Sequence, residues 1–320
     1  MSRPTADETG MLNARRRAAG DLPVSTAALL GAVALVPTAG VLGLRVLRNA
    51  PVALPDVART ATPAVQTLAA VVPALAALGL AVGSDRRAAR VALAAVGVFG
   101  LLGAVDAAAW LPAAAAVLVG TTAALALDLG GLVDPLRADT DPRDALSPAI
   151  RPASLAALGV LALAWSLIAS AGIGTTTFRP AGAALAFATL AALPLVRGLD
   201  GAVELGLWAL AAFAVTVTAA SAPFVAGAVV LVAFGAGSVP FVLLALGIGG
   251  AVATVVADAR RGALGPAVGA ALLLAAGVPA TLPRAVAFGL GLLLVVREWA
   301  PAARPVSTDR AEARGGVADA

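Results

Sequence analysis

Long apolar runs, cut by short charged boundaries, constrain this chain more than any other feature. Eleven hydrophobic segments can be read, at 24–44, 62–83, 91–105, 108–127, 153–173, 180–196, 202–220, 222–235, 238–257, 263–280 and 284–297. About 20 apolar residues, rising about 1.5 Å each, cross the roughly 30 Å hydrocarbon core of a bilayer. Hydrophobic residues make up 60% of the chain and charged ones 12%, with a mean hydropathy of +0.96. A soluble globule cannot hide that much apolar surface, and disorder requires the opposite composition. The expected fold is all-α: a polytopic transmembrane helical bundle of about 10 spans, with 9 to 11 as the range.

Several segments are short. The runs 91–105, 222–235 and 284–297 fall below the usual limit, so each must borrow flanking residues, tilt little or stop short as a re-entrant helix. The weakest is 222–235, which opens at Pro223 and ends in Gly235-Ala236-Gly237-Ser238. It is the segment expected to re-enter.

Arginine sets the orientation, because cytoplasmic loops of membrane proteins carry the excess of basic residues. With the N-terminus inside, the inner segments of the first six spans hold Arg3, Arg15, Arg16, Arg17, Arg86, Arg87, Arg90, Arg137, Arg143, Arg151 and Arg197. The outer loops hold Arg45, Arg48, Arg59 and Arg179, and the 45–61 loop runs against the rule. Ten crossings also place Arg260, Arg261, Arg297, Arg304, Arg310 and Arg314 inside, with Arg284 outside. The expectation is therefore a cell-membrane protein with both termini cytoplasmic. Its parts are a tail over 1–23, a first helical block over 24–127 and an Asp/Pro-rich cytoplasmic loop over 128–152. A second block of six or seven helices fills 153–297, and a polar, disordered tail covers 298–320.

What is missing excludes most chemistries. The chain has no Cys, His, Lys or Tyr, so all 22 basic residues are Arg. Thiol and imidazole nucleophiles or bases, His or thiolate metal sites, Schiff bases and a Walker A lysine are all ruled out. Amides are nearly absent too: Asn13, Asn49 and Gln66. No arginine stripe alternates with aromatics, so no nucleic acid is expected. Neither a cofactor nor a metal is expected. The partners expected are the lipid bilayer and other membrane proteins. The Ala/Gly-rich composition, Asp-biased and free of Lys, resembles that of proteins from GC-rich genomes and salt-loving prokaryotes.

Candidate sites are few. Asp139, Asp141 and Asp144 could hold Mg²⁺ for a diphosphate, as paired Asp motifs do in intramembrane prenyltransferases. Here they stand among Pro135, Pro142, Pro148 and Pro152, which argue against a long helix, and no second Asp set matches them. A solvated loop is the simpler reading. Asp106, Asp128, Asp200, Glu204, Asp258 and Arg284 lie in or beside apolar runs, where unpaired charges are costly and mark functional candidates. Most need only reach the interface, and Asp106 reads as a hairpin tip. Glu204, one turn into its span and one turn after Asp200, is the candidate functional charge, with Asp200 on the same helical face and Arg197 within reach of Asp200. Gly79-x-x-x-Gly83, Gly265-x-x-x-Gly269 and the series Gly97, Gly100, Gly103 predict close helix packing. Asp85-Arg86-Arg87 and Asp258-Ala259-Arg260-Arg261 each precede two short segments, a generic membrane-boundary pattern.

With so few polar groups in the spans, the leading expectation is a non-catalytic membrane subunit or scaffold. A small-solute or proton-coupled transporter is the alternative, because ten short-looped spans resemble drug/metabolite-type transporters in size and layout. A membrane enzyme acting on a lipid phosphate through the Asp-rich loop is the third.

Overall fold

The computed structural model describes residues 25–49, 56–139, 142–198 and 239–297. Those residues form nine α-helices and one short 3₁₀ turn, with no strand among them. The helices are α1 (Thr26–Asn49), α2 (Asp56–Val82), α3 (Arg87–Val105), α4 (Trp110–Asp139), α5 (Pro142–Ser170), α6 (Thr175–Val196), α7 (Val239–Arg260), α8 (Leu264–Ala276) and α9 (Leu282–Arg297). The segments expected at 202–220 and 222–235 and both tails lie outside the described residues.

Among the described residues six stretches are long and apolar enough to cross a membrane: Thr26–Arg45, Arg59–Val82, Arg87–Val105, Trp110–Gly130, Ile150–Ser170 and Thr175–Val196. Between 28% and 44% of each one's most apolar window is buried inside the bundle. The remaining faces expose large apolar side chains such as Leu29, Val36, Val91, Val119 and Leu161. Water does not solvate such faces, and lipid chains do.

Six of the described helices surround a core helix, and α6 and α7 pack outside them, against α5 and α8. Each of α1 to α8 touches its neighbours in this order, and α8 returns to α1. Inside stands α9, in contact with α1 to α5 and α8. Every residue from Ala285 to Val296 is buried. Its 16 residues span about 24 Å, and the 13 of α8 about 20 Å, so both are short for a bilayer. An α9 lined all round by protein needs no lipid-matched length. This explains why 284–297 is so apolar and so short at once.

Small residues make the packing tight. A Cβ on Gly97 would stand 2.8 Å from the Ala74 carbonyl oxygen, and one on Gly120 2.7 Å from that of Ala92. A Cβ on Gly100 would meet Val286 of α9 at 3.0 Å and Ala74 at 3.1 Å. The Gly97, Gly100, Gly103 series is thus a packing seam of α3 against α2, α4 and α9. Gly83, by contrast, touches only carbonyls of its own helix end.

Helix direction follows from three matched contacts. Gly247 lies against the Phe187 carbonyl, Gly250 against the Leu190 carbonyl, and Asp258 against Arg197. Positions on α6 and α7 advance together, so these neighbours run parallel. Gly198 and Val239 therefore sit at opposite ends of the bundle. Gly31, early in α1, packs on Leu294, late in α9, so α1 begins at the end where α9 finishes.

The 128–152 stretch differs from expectation. Rather than one irregular loop, α4 continues through Pro135 to Asp139 and α5 begins at Pro142. Pro142 takes the first helical position, where the missing N–H costs nothing. Pro148 and Pro152 are four residues apart, so both lost hydrogen bonds fall on one helical face and the other face carries the helix on.

Candidate functional site

The polar side chains of the spans mostly serve their own helices. The hydroxyls of Thr38, Thr67, Thr122, Thr189 and Thr254 donate to the carbonyls of Ala34, Pro63, Leu118, Leu185 and Gly250, each four residues back. Thr121 Oγ1 and Ser166 Oγ are buried without a hydrogen-bond partner, pressed against Gly289 and Gly182 at separate helix crossings. These groups are dispersed over α1, α2, α4, α5, α6 and α7.

Two charged arrangements stand apart. The first is an ion pair near the C-terminal ends of α6 and α7. Arg197 Nε and Nη2 donate to the two oxygens of Asp258 at 3.0 and 2.9 Å, a two-pronged geometry that suits a guanidinium fork. The Asp258 carboxylate is fully buried and Arg197 nearly so, at 0% and 14% exposure. Asp258 does not merely reach the interface, as its place at a span end suggests. It is held under the end of α6, because α7 runs parallel to α6 and brings the two residues level. The exposed Asp85 of the other Asp-Arg-Arg boundary does a different job: beside it, Arg86 donates to the Leu127 carbonyl at 2.8 Å and ties α3 to α4.

The second is a pocket of about 170 Å³ at the opposite end of the bundle. Its polar lining is Thr38 and Arg45 from α1, Gln66 from α2, and Thr281 and Arg284 at the start of α9. Val41, Leu42, Ala69, Ala70, Ala275 and Pro283 complete the wall. No carboxylate is among the described residues that line it. Arg45 and Arg284 repel each other across it, and neither forms an ion pair among the described residues. Thr281 caps α9, its carbonyl accepting the Ala285 N–H at 2.8 Å, so the first turn of α9 with its positive dipole end forms part of the wall.

The other sequence candidates fall as follows. Glu204 and Asp200 lie outside the described residues, as does Asp141. Asp139 closes α4, and Asp144 lies in the first turn of α5. Asp106 stands at the tip of the α3–α4 hairpin, its Oδ1 accepting the Ala108 N–H at 2.8 Å. Asp128 is half-buried in α4, within electrostatic reach of Arg297 and Arg86. Among the described residues no group of three carboxylates gathers as a metal site would require. Sequence reasoning missed the pocket. Its signals were Arg45, which broke the charge asymmetry, and Gln66, one of only three amides.

A family model described as an integral membrane family of unknown function (DUF8068) matches residues 27–296, which takes in every described helix from its first turn. No curated protein and no solved structure matches the chain.

Proposed function

The chain belongs to this integral membrane family of unknown function, and from that premise we propose that it is a non-catalytic membrane subunit or scaffold. The observation that carries the reading is α9. A transporter keeps a solvated path and its binding groups near the mid-plane of the bundle. Here the middle of the described bundle is filled by Ala285 to Val296, and the hydroxyls of Thr38, Thr67 and Thr122 on the helices around it are spent within their own helices, while Thr121 is pressed against Gly289 at a helix crossing. A packed, rigid body with extensive apolar outer faces suits assembly within the bilayer.

The layout of this reading is ten crossings with both ends in the cytoplasm. Parallel α6 and α7 support it: a chain that leaves at Gly198 and returns at Val239 on the other side crosses an odd number of times between them. One full span and one re-entrant segment within 199–238 meet that requirement.

Transport of a small solute is the second reading, favoured by the polar pocket at one end and by Glu204. Blue native electrophoresis of the tagged protein in mild detergent, combined with Glu204→Gln, separates the two. A scaffold migrates in a discrete complex of fixed stoichiometry, and Glu204→Gln leaves both insertion and cellular phenotype intact. A monomer, together with loss of phenotype in a normally inserted Glu204→Gln protein, would overturn the scaffold reading in favour of proton- or cation-coupled transport.

A further inference from the structure

The pocket between α1, α2 and the start of α9 is lined by two arginines, a glutamine and two threonines, with no carboxylate among the described residues that line it. We propose that this pocket binds a phosphate group, with Arg45 and Arg284 as its two cationic arms and Gln66 and Thr281 as neutral donors. The inference goes beyond the scaffold reading and stands whichever role the bundle plays.

Charge comes first. Two half-exposed or exposed cations facing one cavity without a carboxylate raise the cost of the empty site, and a bound anion removes it. Arginine forks present paired N–H groups at a spacing that matches the oxygens of a phosphate. A phosphate brings enough oxygens, and up to two negative charges, for both forks at once. A carboxylate engages one fork fully and leaves the other wanting. The first turn of α9 adds its positive dipole end on the same side.

The neutral groups agree. Gln66 offers an amide N–H₂ and Thr281 a hydroxyl, both on residues that line the cavity. Thr38 already donates to the Ala34 carbonyl, so toward a ligand its oxygen only accepts, which suits a protonated phosphate oxygen or a hydroxyl of the substituent. The volume equals that of about five or six liquid waters, room for a phosphate and the first atoms of its substituent. Val41, Leu42, Ala69 and Ala70 give an apolar wall beside the charges. Such a wall can flank either the stem of a phosphorylated solute or the glycerol end of a phospholipid. The phosphate is common to both.

The test uses the full-length protein, delipidated in a phosphate-free maltoside detergent, with unfolding followed by the fluorescence of its four Trp residues. Inorganic phosphate and short-chain phosphatidylglycerol are titrated separately against chloride at matched ionic strength. Saturating ligand raises the midpoint by about 3 °C or more. Arg45→Gln and Arg284→Gln each weaken the response about tenfold, and the double variant abolishes it, whereas Arg179→Gln, exposed and outside the pocket, responds like the parent. A response to inorganic phosphate assigns a soluble ligand, and a response to phosphatidylglycerol alone assigns a lipid headgroup. Folding does not confound the result. Arg45 is exposed, and removing the Arg284 cation from the unliganded pocket leaves a midpoint at or above that of the parent. Absence of a shift with both ligands, or a full shift retained in the double variant, overturns the proposal.

Discussion

Arg197→Leu lowers the stability of the bundle by about 3 kcal/mol or more, and adding Asp258→Leu to it restores most of the loss. The single substitution strands a carboxylate with no exposed surface beneath the end of α6. Stranding one buried charge costs about 3–5 kcal/mol, whereas replacing both partners by apolar groups of similar size is often neutral or better. The double-mutant cycle, read by reversible unfolding in mixed SDS micelles, reports the coupling directly. The cost exceeds that of an ordinary exposed ion pair, because Arg59 and Asp56, 4.0 Å apart at the open end of α2, show the exposed alternative, and such pairs contribute about 0–1 kcal/mol. Equal stability of Arg197→Leu and the parent would mean that α6 and α7 are not held level by this pair. The parallel register would then rest on the glycine contacts alone.

The second large effect lies where α8 meets α9. A Cβ on Gly291 would stand 2.9 Å from the Gly269 carbonyl oxygen and 2.8 Å from Leu273 Cγ, and a Cβ on Gly269 would stand 2.9 Å from the Gly291 carbonyl oxygen. Two of these obstacles are backbone, which cannot swing aside. Gly291→Val therefore forces the two helices apart and lowers stability by about 3 kcal/mol, at the upper end of the usual cost of overpacking. Gly43 provides the contrast, since nothing lies within 4 Å of the place a Cβ would take there, on the outer face of α1. Gly43→Ala gains helix propensity without a clash and raises stability by up to about 1 kcal/mol. The same micelle unfolding assay measures both. A tolerated Gly291→Val would show that α9 is not locked into the bundle by its glycines.

Six of the expected spans were legible, because hydropathy reports lipid and protein contact alike. The apolar run 180–196 lies within α6, and 91–105 gains its missing turn from Arg87 to Arg90. Helix ends beyond the bilayer were not legible. Residues such as Arg137, Asp139 and Arg143 are polar, so they leave the hydropathy signal while staying helical. The central position of α9 was equally hidden. Its composition is that of a span, and only its length of 16 residues hinted at a surround of protein rather than lipid. Both charged arrangements depend on tertiary placement. Arg197 and Asp258 are 61 residues apart, and the pocket draws Arg45 from α1 and Arg284 from α9. Sequence offered a violation of charge asymmetry across the 45–61 loop, with Arg45, Arg48 and Arg59, which reads as noise until Arg284 is seen to line the same pocket as Arg45.

Short as it is, α9 threads the middle of the six helices around it, with the arginine pocket at its start and the opposite end of the bundle at its finish. The absence of native Cys makes single-cysteine labelling in intact cells clean. Thr281→Cys, at the start of α9, and Arg297→Cys, at its end, are each treated with a membrane-impermeant maleimide before and after permeabilisation. The expected result is that Thr281→Cys labels in intact cells and that Arg297→Cys labels only once the membrane is opened. Labelling of both positions from the same side would contradict this placement, because α9 would then not cross.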